Sequence, residues 1–538
     1  MTESELPVVA FHPFRWGDPE RPAELPPTAR EALTAFGITE PDRAPMSPEE
    51  VRLTPSRLPS AARDELVAVV GAESVSTEDR ARLSHTRGWS TTDLLKLRAG
   101  DAADAPDAVI HPASHDEVQA VLELCTRLSI AVVPYSGGTS VVGGLNPVRD
   151  RFPVVVALDI SRLNELENFD EVSHTATFGA GTRGPRVEEL LRDRGFTLGH
   201  FPQSYEGASI GGYAAARSAG QSSAGYGRFD EMVVGLTVAT PRGGLTLGTA
   251  PKSAAGPDLR QLILGSEGVF GVITSVTVRV RPLPVARVFE GWRFASFDDG
   301  ARALRHLTQH GPMPTVMRLS DEVETQVNLS DPSRMLGGGP SGCLAVLGFE
   351  GTEADVAARQ SAVAGILTDL GGESLGTEPG ESWRNGRFRA PYLRDPLLDA
   401  GVLIETLETA AFWSKLPELR QAVTSALTES LTAQGTQPLI LCHISHVYET
   451  GASLYFTVAC AQTADPIGQW AQAKHAANEA IRSAGAASSH HHGIGTDHRE
   501  IYAREIGPLG VEVLRNVKAT LDPAGILNPG VLVYDGPE

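Results

Sequence analysis

Pro134-Tyr135-Ser136-Gly137-Gly138-Thr139-Ser140-Val141-Val142-Gly143-Gly144 is the stretch from which the fold can be read. It follows the apolar run Ile130-Ala131-Val132-Val133, which predicts a strand ending at the proline. Glycines at a strand end let the backbone turn with several N–H groups aimed inward, a nest suited to a pyrophosphate. Alone, a Gly-Gly pair reads as a plain turn, so its surroundings decide. Upstream, Val109-Ile110 predicts a strand. Behind Ser114, Val118, Val121, Leu122, Leu124, Cys125 and Leu128 recur at helical spacing, completing a β-α-β unit. Downstream, Val154 to Leu158 predicts another strand, and the alternation from Val272 to Val280 predicts a half-buried one.

A second glycine pattern competes. Gly179-Ala180-Gly181-Thr182-Arg183-Gly184 matches GxGxxG and precedes a predicted helix, Val187 to Arg194. A dinucleotide site of the Rossmann type then needs an acidic residue about 20 positions on. The chain reads Leu198-Gly199-His200-Phe201-Pro202 there, with nothing acidic, so the match is set aside.

The remaining small-residue segments fall in one order: Pro202-Gln203-Ser204, Ile210-Gly211-Gly212, Arg217-Ser218-Ala219-Gly220, Tyr226-Gly227, Val238 to Gly243, and Gly265-Ser266-Glu267-Gly268-Val269-Phe270-Gly271. In that order and spacing, over residues 105–284, they resemble the FAD-binding domain of vanillyl-alcohol oxidase-type (PCMH-type) flavoproteins. The resemblance implies an α+β chain with a two-subdomain FAD domain. It implies FAD held by Pro134, Tyr135, Ser136, Gly137, Gly138, Thr139, Ser140, Gln203, Ser204, Ser209, Gly211, Gly212, Ala216, Arg217, Ser218, Ala219, Gly265, Ser266, Glu267, Gly268, Gly271 and Ile273. Several members attach the flavin through a histidine in the first loop. Thr139 stands at that position here, so dissociable, non-covalent FAD is expected.

The 538 residues are too many for one core. Residues 1–104 read as a partly helical N-terminal extension, with helical segments from about Pro59 to Leu97. Residues 285–510 read as a cap, or substrate, domain of helices over an antiparallel sheet. Residues 511–538 read as a segment packing back on the FAD domain. A formal charge of −20 argues against nucleic acid as a partner. Neither the acidic start, Met1 to Glu20, nor the end, Asp535-Gly536-Pro537-Glu538, resembles a targeting or lipidation signal. Four dispersed cysteines (Cys125, Cys343, Cys442, Cys460) suit a reducing compartment, and a bacterial cytoplasmic location is expected.

The cap domain carries Ser488-Ser489-His490-His491-His492-Gly493-Ile494-Gly495. Three adjacent imidazoles act either as proton carriers or as metal ligands. Two branches of the superfamily bear on the choice. D-2-hydroxyacid dehydrogenases carry a metal site built from an HxGxGNxH-like strand and a Glu-His-Gly. The corresponding run here, His443-Ile444-Ser445-His446 to Tyr455-Phe456, lacks the Gly-Asn core. Tyr455 stands at the second ligand position and His491 at the glutamate. A divalent site can still be drawn from His443, His446, His491 and His492, but without a carboxylate, and no metal is expected.

The triple-histidine loop resembles that of alkyldihydroxyacetonephosphate synthases. So do Thr450 to Phe456, Met317-Arg318-Leu319, Tyr392-Leu393-Arg394-Asp395 and Leu521-Asp522-Pro523 with Asn528-Pro529-Gly530. That resemblance, from about residue 85 onward, implies Tyr455, His490, His491 and His492 as catalytic residues and Arg318 and Arg394 as substrate-binding arginines. It implies exchange of the acyl group of an acyl-dihydroxyacetone phosphate for a fatty alcohol, through an adduct at flavin N5. The family implies a homodimer, and peripheral contact with a membrane is a further expectation for an enzyme of fatty substrates, although the acidic, lysine-poor sequence offers no obvious membrane patch. An FAD-linked dehydrogenase of a D-2-hydroxyacid is the alternative. His443 and His446 read as structural, and Phe14 and Trp16 as packing.

Overall fold

The computed structural model describes residues 12–17, 23–35, 37–39, 41, 44–329 and 342–533. The two chain ends searched for signals, residues 1–11 and 534–538, lie outside them. Ile130–Tyr135 runs parallel to Val154–Asp159, which runs parallel to Ala108–Ile110, and Val75–Ser76 adds an antiparallel edge. The crossover is the helix His115–Leu128, whose first turn is capped by Ser114 accepting from the Glu117 amide. Every residue of Val154–Asp159 is buried, as a parallel strand covered on both faces requires.

A second, antiparallel sheet has the order Leu166–Asp170, Thr175–Gly179, Val272–Arg279, Val233–Thr240, Gly243–Leu247. Val272–Arg279 departs from the expected half-buried alternation: its first five residues are all buried. The strand is central, and helices His115–Leu128 and Ile210–Ala216 pack against it. One apolar cluster joins both sheets.

The GxGxxG match does form a strand–turn–helix, with Gly184–Arg192 as the helix in place of the expected Val187 to Arg194. Its glycines face protein. A Cβ at Gly179 or Gly181 would meet the backbone of Leu163 or Ile160, and one at Gly184 the rings of Tyr205 and Tyr213. No dinucleotide has room there.

The third sheet is antiparallel, in the order Glu373–Gly376, Ala286–Phe294, Cys343–Gly351, Val316–Ser320, Leu439–Val447, Gly451–Ala461, Val402–Phe412. Helices Phe297–His310, Glu353–Asp369, Leu416–Ala433 and Pro466–Ser483 cover one face and build a second apolar cluster with it. Period-2 alternation then assigns the opposite face. Met317 and Leu319 enter the cluster while Arg318 points away; Cys442 and Ile444 enter it while His443 and Ser445 do not. No helix among the described residues is long and apolar enough to cross a membrane.

The N-terminal region pairs with the FAD half through Val75–Ser76 and with the cap through two arginines, while the C-terminal segment returns to the FAD half. Helices Ser60–Val70, Asp79–Ser84 and Thr91–Arg98 lie in the N-terminal region. There Arg98 bonds Asp395 and the Phe14 carbonyl, and Arg15 pairs with Asp399. At the other end, Ile526 and Asn528 exchange backbone hydrogen bonds with Val132, so the tail lines up beside the Ile130–Tyr135 strand. Asn528, at a φ of 41°, donates from Nδ2 to the carbonyls of Gly144 (3.0 Å) and Glu267 (2.7 Å). It thereby ties the tail to two of the glycine-rich loops. Asn528→Ala leaves those two carbonyls unpaired and is expected to lower stability by about 1–3 kcal/mol, read as a lower thermal or urea midpoint of the purified protein.

Candidate functional site

The two halves enclose a cavity of about 470 Å³, lined by the glycine-rich loops on one side and the exposed face of the seven-stranded sheet on the other. The first loop contributes Pro134, Tyr135, Ser136, Gly137, Gly138, Thr139 and Ser140. Within the described residues the amides of 136–140 donate to no acceptor, and the buried Ser136 Oγ has no partner. A Cβ at Gly137 would meet the Gly207 carbonyl, and Gly138 has a φ of 69°. A turn of unpaired amides, closed to any larger residue, is what a pyrophosphate requires. The residues present fit FAD. Tyr135 is fixed behind the loop by donating to the Ser84 carbonyl and lying 4.3 Å from the His85 ring.

Gln203, Ser204, Ser209, Gly211, Gly212, Ala216, Ser218, Ala219, Gly268, Gly271 and Ile273 also line the cavity. Three of the assigned cofactor residues do not. Arg217, at a left-handed helix C-cap, turns away to the Leu264 and Gln261 carbonyls; Gly265 makes room for that side chain; Ser266 is buried behind the turn. Glu267 lines the cavity but works as a brace, accepting from the amides of Ile494 and Gly495 and so joining the FAD half to the histidine loop. Burial pushes its carboxyl up to about 7, against those hydrogen bonds.

On the opposite wall, Tyr455 stands directly across from His443 on one neighbouring strand and Glu408 on the other. Its ring lies between those of His443 (5.0 Å, 20°) and His491 (6.0 Å, 21°). Burial raises its phenol to about 12, so it enters any reaction as a proton donor.

The two arginines are not equivalent. Arg318 donates to Glu324 (2.7 Å), with His443 3.0 Å away. Burial alone would raise the Glu324 pKa; His443 and Arg318 beside it hold it down, to about 2. The Arg318 charge is therefore already balanced. Arg394 donates one N–H to the Trp89 carbonyl (2.5 Å), while its buried Nε and Nη2 have no hydrogen-bond partner. Buried donors without acceptors are rare, and these two belong to a cavity wall.

The histidine loop is built on Glu408. Its carboxylate accepts from Ser489 Oγ (2.6 Å) and from the amides of His490 (2.6 Å), His491 (3.2 Å) and His492 (2.9 Å). Burial would push its pKa up, but the His491, His492 and His490 rings beside it, with the Ser489 hydroxyl, outweigh burial and hold it well below the carboxylate range. The histidines move the opposite way. Burial lowers all three, His492 to about 3, so they stand neutral beside an ionised glutamate.

His491 and His492 line the cavity, but His490, assigned with them, lies behind the wall. Its Nε2 is 2.6 Å from the Tyr448 hydroxyl and its Nδ1 2.9 Å from His491 Nδ1. The ring nitrogens of His446, His490 and His491 also lie within 4.8 Å of one another. A cation there would have to displace one of the two hydrogen bonds of His490.

Several lining residues have no place in the sequence-derived set. His443 and His446, read as structural, both face the cavity, and Trp16, read as packing, joins Trp89 in its apolar end. Glu405 and Glu408 were missed. The available signal was two acids inside the β-rich run Val402–Phe412, whose fully buried charges must be paired.

The neutral histidines fix a pH dependence. Their folded-state pKa lies below the ordinary value of about 6.5, so the unfolded chain takes up protons first and stability is lost as pH falls below about 6.5. Glu408, also lowered, adds loss at still lower pH; Glu267, raised, loses its contribution as pH rises toward 7. The thermal midpoint is expected to drop as pH falls from 6.5, with a shallower slope in His492→Asn, measured by calorimetry across pH 4–7.

Comparison with known proteins gives the family. Residues 106–247 match the family described as "FAD binding domain", and residues 283–532 that described as "FAD linked oxidases, C-terminal domain". The chain is 33% identical to the alkyldihydroxyacetonephosphate synthase of Trypanosoma brucei brucei, over 90% of this chain and 82% of the relative. It is 32% identical to that of Dictyostelium discoideum, over 89% and 81%. A solved alkyldihydroxyacetonephosphate synthase structure superposes with a TM-score of 0.84 at 29% identity, over 96% of this chain and 98% of that one. The PCMH-type fold, the cradle and the similarity along nine-tenths of the sequence lead to one conclusion: the chain is an FAD-dependent enzyme of the alkyldihydroxyacetonephosphate synthase family.

Proposed function

We propose that the protein exchanges the acyl group of an acyl-dihydroxyacetone phosphate for a long-chain alcohol. The observation that carries this reading is Arg394, whose buried Nε and Nη2 make no hydrogen bond and share one cavity with Tyr455 and His491. A guanidinium with adjacent free donors fits a phosphate dianion, and burial strengthens the pairing. Arg318, balanced by Glu324, serves to hold His443 against Tyr455. Bound FAD supplies the electrophile and ends in the oxidation state in which it began. Each proton taken from or returned to the reacting carbon needs a nearby partner. The Tyr455 hydroxyl and the His491 and His492 imidazoles supply donor and acceptor without a metal ligand among them being required.

Trp16, Trp89, Val141, Leu145 and Ile404 line the cavity as an apolar wall, which suits the acyl and alkyl chains. Thr139 offers no ring nitrogen for attachment, so the flavin is held without a covalent bond. Operation in the cytoplasm, as a homodimer in peripheral contact with a membrane, completes the proposal.

FAD-loaded protein given acyl-dihydroxyacetone phosphate and hexadecanol is expected to form the alkyl product while the flavin spectrum stays oxidised at the end point. No alkyl product, together with bleaching of the flavin by a 2-hydroxyacid, contradicts the reading. Arg394→Ala is expected to raise KM for the phosphorylated substrate at least tenfold. Acid precipitation of the protein is expected to leave the yellow flavin in the supernatant.

A further inference from the structure

His490 was grouped with the catalytic histidines, yet it does not reach the cavity, and its two ring nitrogens are both engaged. Nδ1 faces His491 Nδ1 at 2.9 Å, and Nε2 faces the Tyr448 hydroxyl at 2.6 Å. Tyr448 directly follows the Leu439–Val447 strand, with its amide donating to the Gly451 carbonyl and its own carbonyl accepting from Trp413 Nε1. Beyond it stands Arg228, which opposes the rise that burial imposes on the Tyr448 phenol pKa. Arg228 pairs with Asp230 at 3.0 Å, and these two side chains keep 19% and 18% of their surface exposed. A line of polar groups therefore leads from His491 in the cavity wall to two partly exposed side chains that do not line the cavity.

We propose that His490 and Tyr448 form a proton relay joining His491 to solvent at Arg228 and Asp230. The inference rests on the exchange reaction above, because it concerns the protons that reaction must gain and lose.

The polarity of the line follows from the donor inventory. A guanidinium only donates, so the Tyr448 oxygen receives whatever Arg228 offers, and the phenol O–H is left to donate to His490 Nε2. A neutral imidazole that accepts at Nε2 carries its proton on Nδ1. His490 Nδ1–H then donates to His491 Nδ1, which must be the bare nitrogen. His491 consequently holds its proton on Nε2, the nitrogen left to meet a reactant. Every donor points toward the cavity.

One relay step balances without an outside reagent. The Tyr448 O–H breaks as an N–H forms at His490 Nε2; the His490 Nδ1–H breaks as an N–H forms at His491 Nδ1; His491 gives its Nε2 proton to the reacting group. The transient phenolate lies beside the Arg228 guanidinium and is reprotonated by water. Run backwards, the same chain carries away a proton abstracted from substrate. The surrounding groups hold the rings in place. Glu408 fixes the His490 amide at 2.6 Å and stands 3.6 Å from His491 Nδ1, and the His446 ring stacks on His490 at 5.0 Å and 21°. With Arg228 on the outer side and Glu408 on the inner, charge is available at both ends of the relay. In this assignment His490 and Tyr448 are positioning and relay residues, and His491 is the catalytic one.

Tyr448→Phe keeps the ring and removes only the hydroxyl. In FAD-loaded protein it is expected to lower kcat of the exchange at least tenfold, with KM for acyl-dihydroxyacetone phosphate within twofold and flavin content unchanged. The wild type is expected to show a curved dependence of rate on solvent deuterium fraction, which becomes linear in the variant. A Tyr448→Phe enzyme with wild-type kcat and the same curved dependence overturns the relay. A second measurement does not need turnover. In ¹⁵N-histidine-labelled holoprotein, with His490 assigned by its loss in His490→Gln, nitrogen shifts are expected to show protonated Nδ1 and bare Nε2. The reverse tautomer overturns the polarity. If the wild type forms no alkyl product while the tautomer is as stated, it is the reaction that fails, not the hydrogen-bonded chain.

Discussion

The Glu408 carboxylate, buried at the base of the histidine loop, receives the Ser489 hydroxyl and three consecutive amides. Three histidines in a row have no intrinsic reason to adopt one backbone conformation, and their rings could point anywhere. An anion that accepts successive N–H groups selects the turn in which those groups converge. The side chains are then forced outward in fixed directions: His491 and His492 to the cavity, His490 to Tyr448. Stranding a buried charge by removing its partners costs about 3–5 kcal/mol, so the loop and the strand that carries Glu408 stand or fall together. Glu267 performs the same task from the FAD half, holding Ile494 and Gly495. Two carboxylates on two domains thus grip one loop and register the cap face against the cofactor cradle.

This arrangement separates the functions of charge in the site. Arg318, Glu324 and His443 pair their charges with one another behind Tyr455, although Arg318 Nε and Glu324 Oε2 are left without a hydrogen-bond partner. Arg394 differs: its one hydrogen bond goes to Trp89, Asp395 stands 4.0 Å from its Nε, and its Nε and Nη2 make no hydrogen bond at the cavity wall. Arg318 sits between Met317 and Leu319 and Arg394 between Leu393 and Asp395, and nothing in either run of sequence says what the guanidinium meets. Only the partners tell a positioning residue from an anion receptor.

How much of this was legible beforehand follows from the range of each interaction. The Gly137-Gly138 loop, the β-α-β unit and the antiparallel cap depend on local conformational freedom and on periodicity, which one segment of sequence records. The GxGxxG match was rejected for a missing acid; the structure adds the reason, since its glycines face Leu163, Ile160 and two tyrosines. Arg217, Gly265 and Ser266 were assigned to the cofactor because they sit in the right motifs. Yet a motif fixes the backbone path, and a left-handed residue at 217 throws its side chain away from the cavity. Glu408 and Tyr448 could not be read, because their meaning lies in residues 82 and 42 positions away. Trp16 is a still longer case, reaching Asp395 across 379 positions.

The account places the proton chemistry of an FAD enzyme under the control of one buried carboxylate, with the cofactor cradle built separately. The most direct measurement is the exchange activity and flavin content of Glu408→Gln, which keeps the shape and removes the charge. The account predicts FAD bound at wild-type stoichiometry and exchange reduced by about 100-fold or more, the scale of a lost general acid–base function. Exchange at the wild-type rate with flavin in place would contradict it.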